Sequence, residues 1–212
     1  MPGKLVAIEG VDSSGKHTQA RMLLERLEKE GFKAELVSFP RYETIFGKLV
    51  KKYLSGCFGP LEKVRPEFAS LLYSLDRYDA MPEIEAFLKA GKVVVLDRYA
   101  ASNIAHHASK FSGEKRGSFI QWMETVESRL PKPNLTIFLD LPVPVSLKLM
   151  KERPREKDIH ELNPEYLEAT RQVYLSLAER PGWARIDCAK GPGIKTKEEI
   201  HKIMWERVSE IL

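Results

Sequence analysis

The sequence predicts an α/β fold: a five-stranded parallel sheet flanked by helices on both faces. Three observations carry that expectation. Apolar runs of strand length alternate with segments of helical periodicity along the chain. The strand-like runs are apolar on consecutive residues, as strands buried on both faces are. A glycine-rich turn joins the first apolar run to the first helical segment, a connection typical of the carboxyl edge of such sheets.

The elements follow in order. Residues 5–8 (Leu-Val-Ala-Ile) form the first strand. Residues 19–30 place Ala20, Leu23, Leu24 and Leu27 at helical spacing and stop at Gly31. Residues 35–38 form the second strand, and 92–96 (Lys-Val-Val-Val-Leu) the third and strongest. Residues 135–139 form the fourth, entered through Pro131, Lys132 and Pro133, and 184–187 a weaker fifth. Helical segments fill the gaps at 45–55, 66–90 with a restart at Pro82, 100–110, 117–130, 143–152, 164–179 and 196–211.

With 212 residues and no repeat, low-complexity tract or linker, a single domain over 1–212 is expected. A hydrophobic share of 43% is enough for a core. The net charge of +4 suits anionic ligands but comes without the interleaved basic and aromatic patch of a nucleic-acid partner. No run approaches the roughly 18 apolar residues of a transmembrane helix. Cys57 and Cys188 are far apart and have no His or Cys at metal spacing. Two unpaired thiols and an N-terminus without signal-peptide anatomy point to the cytoplasm.

Ligands of such sheets sit beyond the carboxyl ends of the strands, so the residues just after each strand are where chemistry is expected. After the first strand come Gly10, Val11, Asp12, Ser13, Ser14, Gly15, Lys16, His17 and Thr18, completing G-x-x-x-x-G-K between a strand and a helix. This is the pattern of a phosphate-binding loop. Its glycines let backbone N–H groups turn inward, the helix N-terminus adds its dipole, and Lys16 adds a mobile cation. The next position normally supplies a hydroxyl for Mg²⁺, a hard ion that prefers oxygen. Here it is His17, with Thr18 one place late. Adenylate kinases carry G-K-G-T-Q, also without that hydroxyl, so G-K-H-T-Q is read as a tolerated departure.

The third strand runs into Asp97, Arg98 and Tyr99, a carboxylate where a nucleotide-bound metal sits and a guanidinium beside it. Phe39, Pro40 and Arg41 follow the second strand, and Pro40 directs Arg41 toward the cleft. Tyr73 and Arg77 lie four apart on one helical face, an aromatic plane and a guanidinium suited to a nucleobase, although ordinary packing has the same spacing. Ser102, Asn103 and His106 share one side of the helix that starts at the cleft. The basic run around Arg153 and Arg155 fits either a solvated turn or a closing lid.

In this order, these motifs resemble the thymidylate kinase family over nearly the whole chain. Ile8-Glu9-Gly10-Val11-Asp12 with Gly15-Lys16 matches its phosphate loop, and Phe39-Pro40 its F-P segment. Leu71-Leu72-Tyr73-Ser74 with Arg77 matches L-L-[FY]-x-x-x-R, and Asp97-Arg98-Tyr99 with Ser102 matches D-R-Y-x-x-S. Leu130-Pro131-Lys132-Pro133 and Leu139-Asp140-Leu141-Pro142 match the ends of the fourth strand.

The resemblance implies a P-loop nucleotide kinase fold with a lid at about 151–162. It implies transfer of the γ-phosphoryl of ATP to dTMP, with Mg²⁺ bound alongside ATP, and a homodimer with the helix around 66–81 at its interface. ATP would lie on residues 10–18. Tyr73 would stack on thymine, Arg77 would bond its carbonyl and Asn103 would read its edge. Arg98 and Arg41 would hold the dTMP phosphate, with Phe39 and Ser102 in the same pocket. Asp12 would face the 3′-hydroxyl, and His106 would exclude a ribose 2′-hydroxyl. Asp97 and Glu161 would sit near the metal, and Lys16, Asp97, Arg98, Arg153 and Arg155 would carry catalysis.

Two further departures stand out. Some members place an arginine inside the phosphate loop, where this chain has Ser13 and Ser14, so the lid arginines would take its part. The F-P-x-R spacing of some members is here F-P-R-Y, which puts Arg41 one place early. Two competing readings use the same residues: another nucleoside monophosphate kinase of this fold, and a binding module silenced by His17.

Overall fold

The computed structural model describes residues 3–60, 63–152, 163–191 and 193–212. Its central sheet has five parallel strands: β1 Lys4–Glu9, β2 Ala34–Ser38, β3 Val93–Asp97, β4 Leu135–Asp140 and β5 Trp183–Asp187. Their order is β2-β3-β1-β4-β5. The helices are α1 Lys16–Lys29, α2 Ile45–Leu54, α3 Pro66–Lys89, α4 Ala100–Ala108, α5 Gly113–Val126, α6 Val143–Glu152, α7 Pro164–Leu177 and α8 Lys197–Ser209. A small antiparallel hairpin, β6 Ala189–Lys190 and β7 Gly193–Ile194, follows β5.

The two-residue period of a strand divides the core. Leu5 and Ala7 of β1, with Val94 and Leu96 of β3, pack with Ala80 and Ile84 of α3. Val6 and Ile8, with Val93 and Val95, belong to a larger cluster that includes Leu23 and Leu27 of α1 and Ile200, Met204 and Val208 of α8. Each such Val, Leu or Ile contributes about 1.5–3 kcal/mol on full burial. Apolar side chains on both faces of β1 and β3 require helices on both faces.

The register places the site. Asp97 lies opposite Ile8 on one side and Ser38 on the other. The segments leaving β1, β2 and β3 therefore emerge side by side at one edge of the sheet, where ligands of open α/β folds bind.

Three local features differ from expectation. Helix α3 runs unbroken through Pro82 instead of restarting there. Proline removes one helical hydrogen bond, to Tyr78, but Ala80 and Ile84 are fully buried against the sheet on either side and hold the axis. Helix α5 is shifted four residues toward the N-terminus, because Gly113 and Gly117 dilute the periodicity of its first turn. The β6–β7 hairpin has two residues per strand, too few to leave a periodic signal.

Candidate active site

The loop after β1 is built around its glycines. Gly10 has φ +153° and a side chain there would meet Ser14 Oγ at 2.6 Å and the Leu139 carbonyl at 2.7 Å. Gly15 has open space around it but a left-handed backbone, φ +89°, and is the N-cap of α1 without a side-chain capping bond. The N–H groups of the first turn of α1 are thus directed at the loop, as an anion site requires. The buried Ser14 Oγ has no hydrogen-bond partner among the described residues. Lys16 is buried, and its Nζ donates to the Val11 carbonyl at 2.8 Å. Burial, then the nearby Arg98, lowers the Lys16 ammonium to about 7.

A cavity of about 550 Å³ opens beside this loop, with Asp12 and His17 of the loop region among its lining residues. Arg98 crosses the gap: its Nη2 donates to Asp12 Oδ1 and its Nη1 lies 3.3 Å from both Ser102 Oγ and His106 Nε2. Burial alone would raise the Asp12 carboxyl, but the neighbouring charges, Arg98 foremost and Lys16 with it, together outweigh burial and hold the group well below the usual carboxylate range. Burial lowers His106 to about 3, so the ring is neutral near pH 7. Its tautomer follows from its neighbours. Nε2 accepts from Arg98, so Nδ1 carries the proton and donates to Tyr166 Oη at 3.0 Å, while the Tyr166 hydroxyl donates to the His106 carbonyl at 3.1 Å.

Arg98 has φ +67°, a left-handed conformation unusual for a side-chain-bearing residue. Glu9 holds it there. This fully buried carboxylate accepts from the N–H of Tyr99 at 2.9 Å, from the N–H of Ser102 at 3.2 Å, and from the Ser102 and Tyr174 hydroxyls. A residue of β1 thereby caps α4 and aims the side chain that precedes it. Strain of this kind persists at sites where the surroundings over-determine the backbone.

The far wall carries Tyr73, Arg77 and Asn103. Tyr73 meets His107 and Tyr53 in edge-to-face contacts, with centroids 5.5 Å and 6.3 Å away, which fix its ring plane. Arg77 is buried and paired with Glu127.

Comparison with known proteins agrees with this geometry. A family model described as thymidylate kinase matches residues 8–200. The chain belongs to the thymidylate kinase family. A Pyrococcus abyssi protein described as a probable thymidylate kinase is 34% identical over 207 residues, covering 95% of this chain and 94% of that one. The human thymidylate kinase is 39% identical over 139 residues, 66% of this chain and 61% of the human protein. The solved thymidylate kinase structure from Candida albicans superposes with a TM-score of 0.80 at 29% identity, over 99% of this chain and 92% of that one. As a member of the family, the chain is a nucleoside monophosphate kinase, a phosphotransferase.

Of the residues the sequence points to, the structure brings Asp12, His17, Phe39, Tyr73, Arg77, Asp97, Arg98, Ser102, Asn103 and His106 to one cavity. It does not bring Arg41 there. Arg41 is tied to Asp76, with Nε 3.2 Å from Oδ1, and to Asp79, while the next residue, Tyr42, lines the cavity. His17 Nδ1 lies 3.1 Å from Asp97 Oδ2 at the cavity mouth. Arg153, Arg155 and Glu161 lie outside the described residues. Sequence reasoning places Glu9 and Tyr42 in the segments after strands but gives them no role, and it misses Glu127 and Tyr166. Glu9 had a signal, a carboxylate ending a largely apolar strand, whereas Glu127 is one charge among several around the end of α5.

Among the described residues, no three His, Cys, Asp or Glu side chains gather into a metal site. A metal carried on the phosphates of ATP needs only one or two protein oxygens, and Asp97 supplies a hard carboxylate beside the Lys16 loop. The donors present fit Mg²⁺ held in that way.

Proposed function

We infer that the chain transfers the γ-phosphoryl group of ATP to dTMP, giving ADP and dTDP. One observation carries the reading: a single arginine, Arg98, joins a phosphate loop to a cavity walled by Tyr73, Arg77 and Asn103. In this reading ATP lies on residues 10–18 and dTMP occupies the cavity.

The acceptor is a phosphate oxygen, already anionic near neutral pH, so no general base is required. That oxygen bonds to the γ-phosphorus as the bond to the β,γ-bridging oxygen breaks, and ADP leaves with the electron pair. The task is to hold two polyanions in line, and cations do it. Lys16 covers the outer phosphates of the donor, and Arg98 faces the transferring group from the acceptor side. Arg153 and Arg155 are assigned to the lid and Glu161 to the metal side. Asp97 would hold Mg²⁺, which when bound neutralises phosphate charge.

The acceptor contacts follow from the walls. Tyr73 stacks on thymine, while Arg77 and Asn103 meet its polar edge. Asp12 faces the 3′-hydroxyl, and the neutral His106 ring fills the space of a 2′-hydroxyl. Phe39 and Ser102 complete the pocket. Arg41 acts through Asp76, which also accepts from its backbone N–H at 2.8 Å, to hold the turn that presents Tyr42. The chain is proposed to be a homodimer, since Phe68, Leu71 and Leu75 form an exposed apolar stripe on α3.

A coupled assay for diphosphate product with ATP and dTMP, dUMP, UMP or AMP tests the reading. dTMP is expected to give the highest kcat/KM, with AMP at least about 100-fold lower. AMP turnover equal to that of dTMP would contradict it.

A further inference from the structure

We propose that Glu127, from behind the cavity wall, sets which pyrimidine the site accepts by holding the Asn103 amide with its oxygen toward the cavity. The inference rests on reading the cavity as the dTMP site.

Glu127 follows the last turn of α5 and borders a second cavity of about 420 Å³, not the first. Its side chain is 3% exposed and its Oε1 gathers three donors. Ser74 Oγ lies at 2.7 Å, Asn103 Nδ2 at 2.8 Å, and Arg77 Nη2 completes the set. Asn103 Nδ2 is also 3.0 Å from the Ser70 carbonyl and 3.2 Å from Ser74 Oγ.

This arrangement permits one orientation of the amide. Turned over, Asn103 would press its own oxygen against a carboxylate and a carbonyl oxygen, with no proton between them. The NH₂ end is therefore fixed toward Glu127, and Oδ1 is left as a buried acceptor, without a partner among the described residues, on a residue that lines the cavity. Arg77 is oriented by the same carboxylate, and its Nε–H is a donor without a partner among the described residues.

An acceptor on Asn103 and a donor on Arg77, two residues of one cavity wall, call for a ligand edge with the opposite pattern. Thymine and uracil present it, as an N3–H beside a carbonyl oxygen. Cytosine presents the reverse, a bare N3 beside an amino group, so acceptor would face acceptor and donor would face donor. Glu127 touches no substrate in this account. It is a positioning residue whose acceptor-only character is transmitted through Asn103 and Arg77. A carboxamide at position 127 would bring an N–H of its own and remove one of the two oxygens that bar the turned-over Asn103, leaving only the Ser70 carbonyl.

The test is kcat/KM for dTMP and dCMP in the wild type, Glu127→Gln and Glu127→Asp. Glu127→Gln is expected to raise KM for dTMP about tenfold, with kcat changed far less, and to reduce the dTMP-to-dCMP preference at least about tenfold. Glu127→Asp keeps an acceptor-only group and should keep that preference. A merely structural role would lower both substrates together and leave their ratio intact, which would overturn the proposal. Should the variants not fold, wild-type binding of 3-methyl-dTMP decides. It lacks the N3 proton and should bind at least about 30-fold more weakly than dTMP. Equal affinity would overturn the proposal. Failure of the wild type to make dTDP would instead overturn the dTMP reading beneath it.

Discussion

Lys16 is a cation placed where a cation is uncomfortable. Its Nζ leans on the Val11 carbonyl, buried and near Arg98, and its proton is lost at about pH 7. An unfolded lysine holds its proton to about 10.4, so between these limits the unfolded chain binds more protons. The penalty from Lys16 is therefore fully present below pH 7 and is relieved as pH rises through that window. Nucleotide binding has the opposite sign, because phosphate prefers the protonated form. ATP affinity should fall severalfold between pH 7.5 and 9 in titration calorimetry, and Lys16→Met should flatten that slope. A wild-type profile already flat over this range would contradict the assignment.

Legibility at this scale depended on reach along the chain. Asp97 and Arg98 could be read because a strand end announces a site. Arg41 could not be placed, because the carboxylates that capture it, Asp76 and Asp79, sit 35 and 38 positions away. Glu127 was invisible for the same reason, since its partners Ser74, Arg77 and Asn103 come from two other helices.

At the scale of elements, the turn after β2 is held against the start of α2. Thr44 caps that helix and donates to the Arg41 carbonyl at 2.9 Å. Gly47 lies so close that a side chain there would sit 1.8 Å from the same carbonyl. The atoms that a Cβ there would meet, the Arg41 carbonyl and the Tyr42 nitrogen, belong to the backbone, so neither can move away alone. Gly47→Ala is expected to cost about 1–3 kcal/mol in denaturant unfolding and to raise KM for dTMP while leaving ATP binding by the β1 loop intact. The elements themselves were legible from period, because the inner strands β1, β3 and β4 are buried on two faces and most helices on one. The restart expected at Pro82 failed because propensity is a local quantity, whereas α3 is kept continuous by the packing of Ala80 and Ile84 on the sheet.

For the whole molecule, the sequence announced a parallel sheet and the edge that binds ligands, but not the strand order. That order, with β1 between β3 and β4, arises from packing among segments distant in sequence. It is what brings Lys16, Arg98 and the Tyr73 wall together. The α3 stripe belongs to this scale as well. If it is the dimer interface, Leu71→Glu with Leu75→Glu should halve the mass found by light scattering; an unchanged dimer would place the interface elsewhere.

The central claim is that cations from adjoining strand ends force donor and acceptor phosphates together, with Arg98 between them. Transfer of label from [γ-³²P]ATP in the presence of dTMP and Mg²⁺ tests it most directly. In the wild type the label should appear in dTDP, and Arg98→Ala should slow its appearance about 10²–10³-fold at saturating substrates. Label released only as inorganic phosphate, or an Arg98→Ala rate close to that of the wild type, would contradict the account.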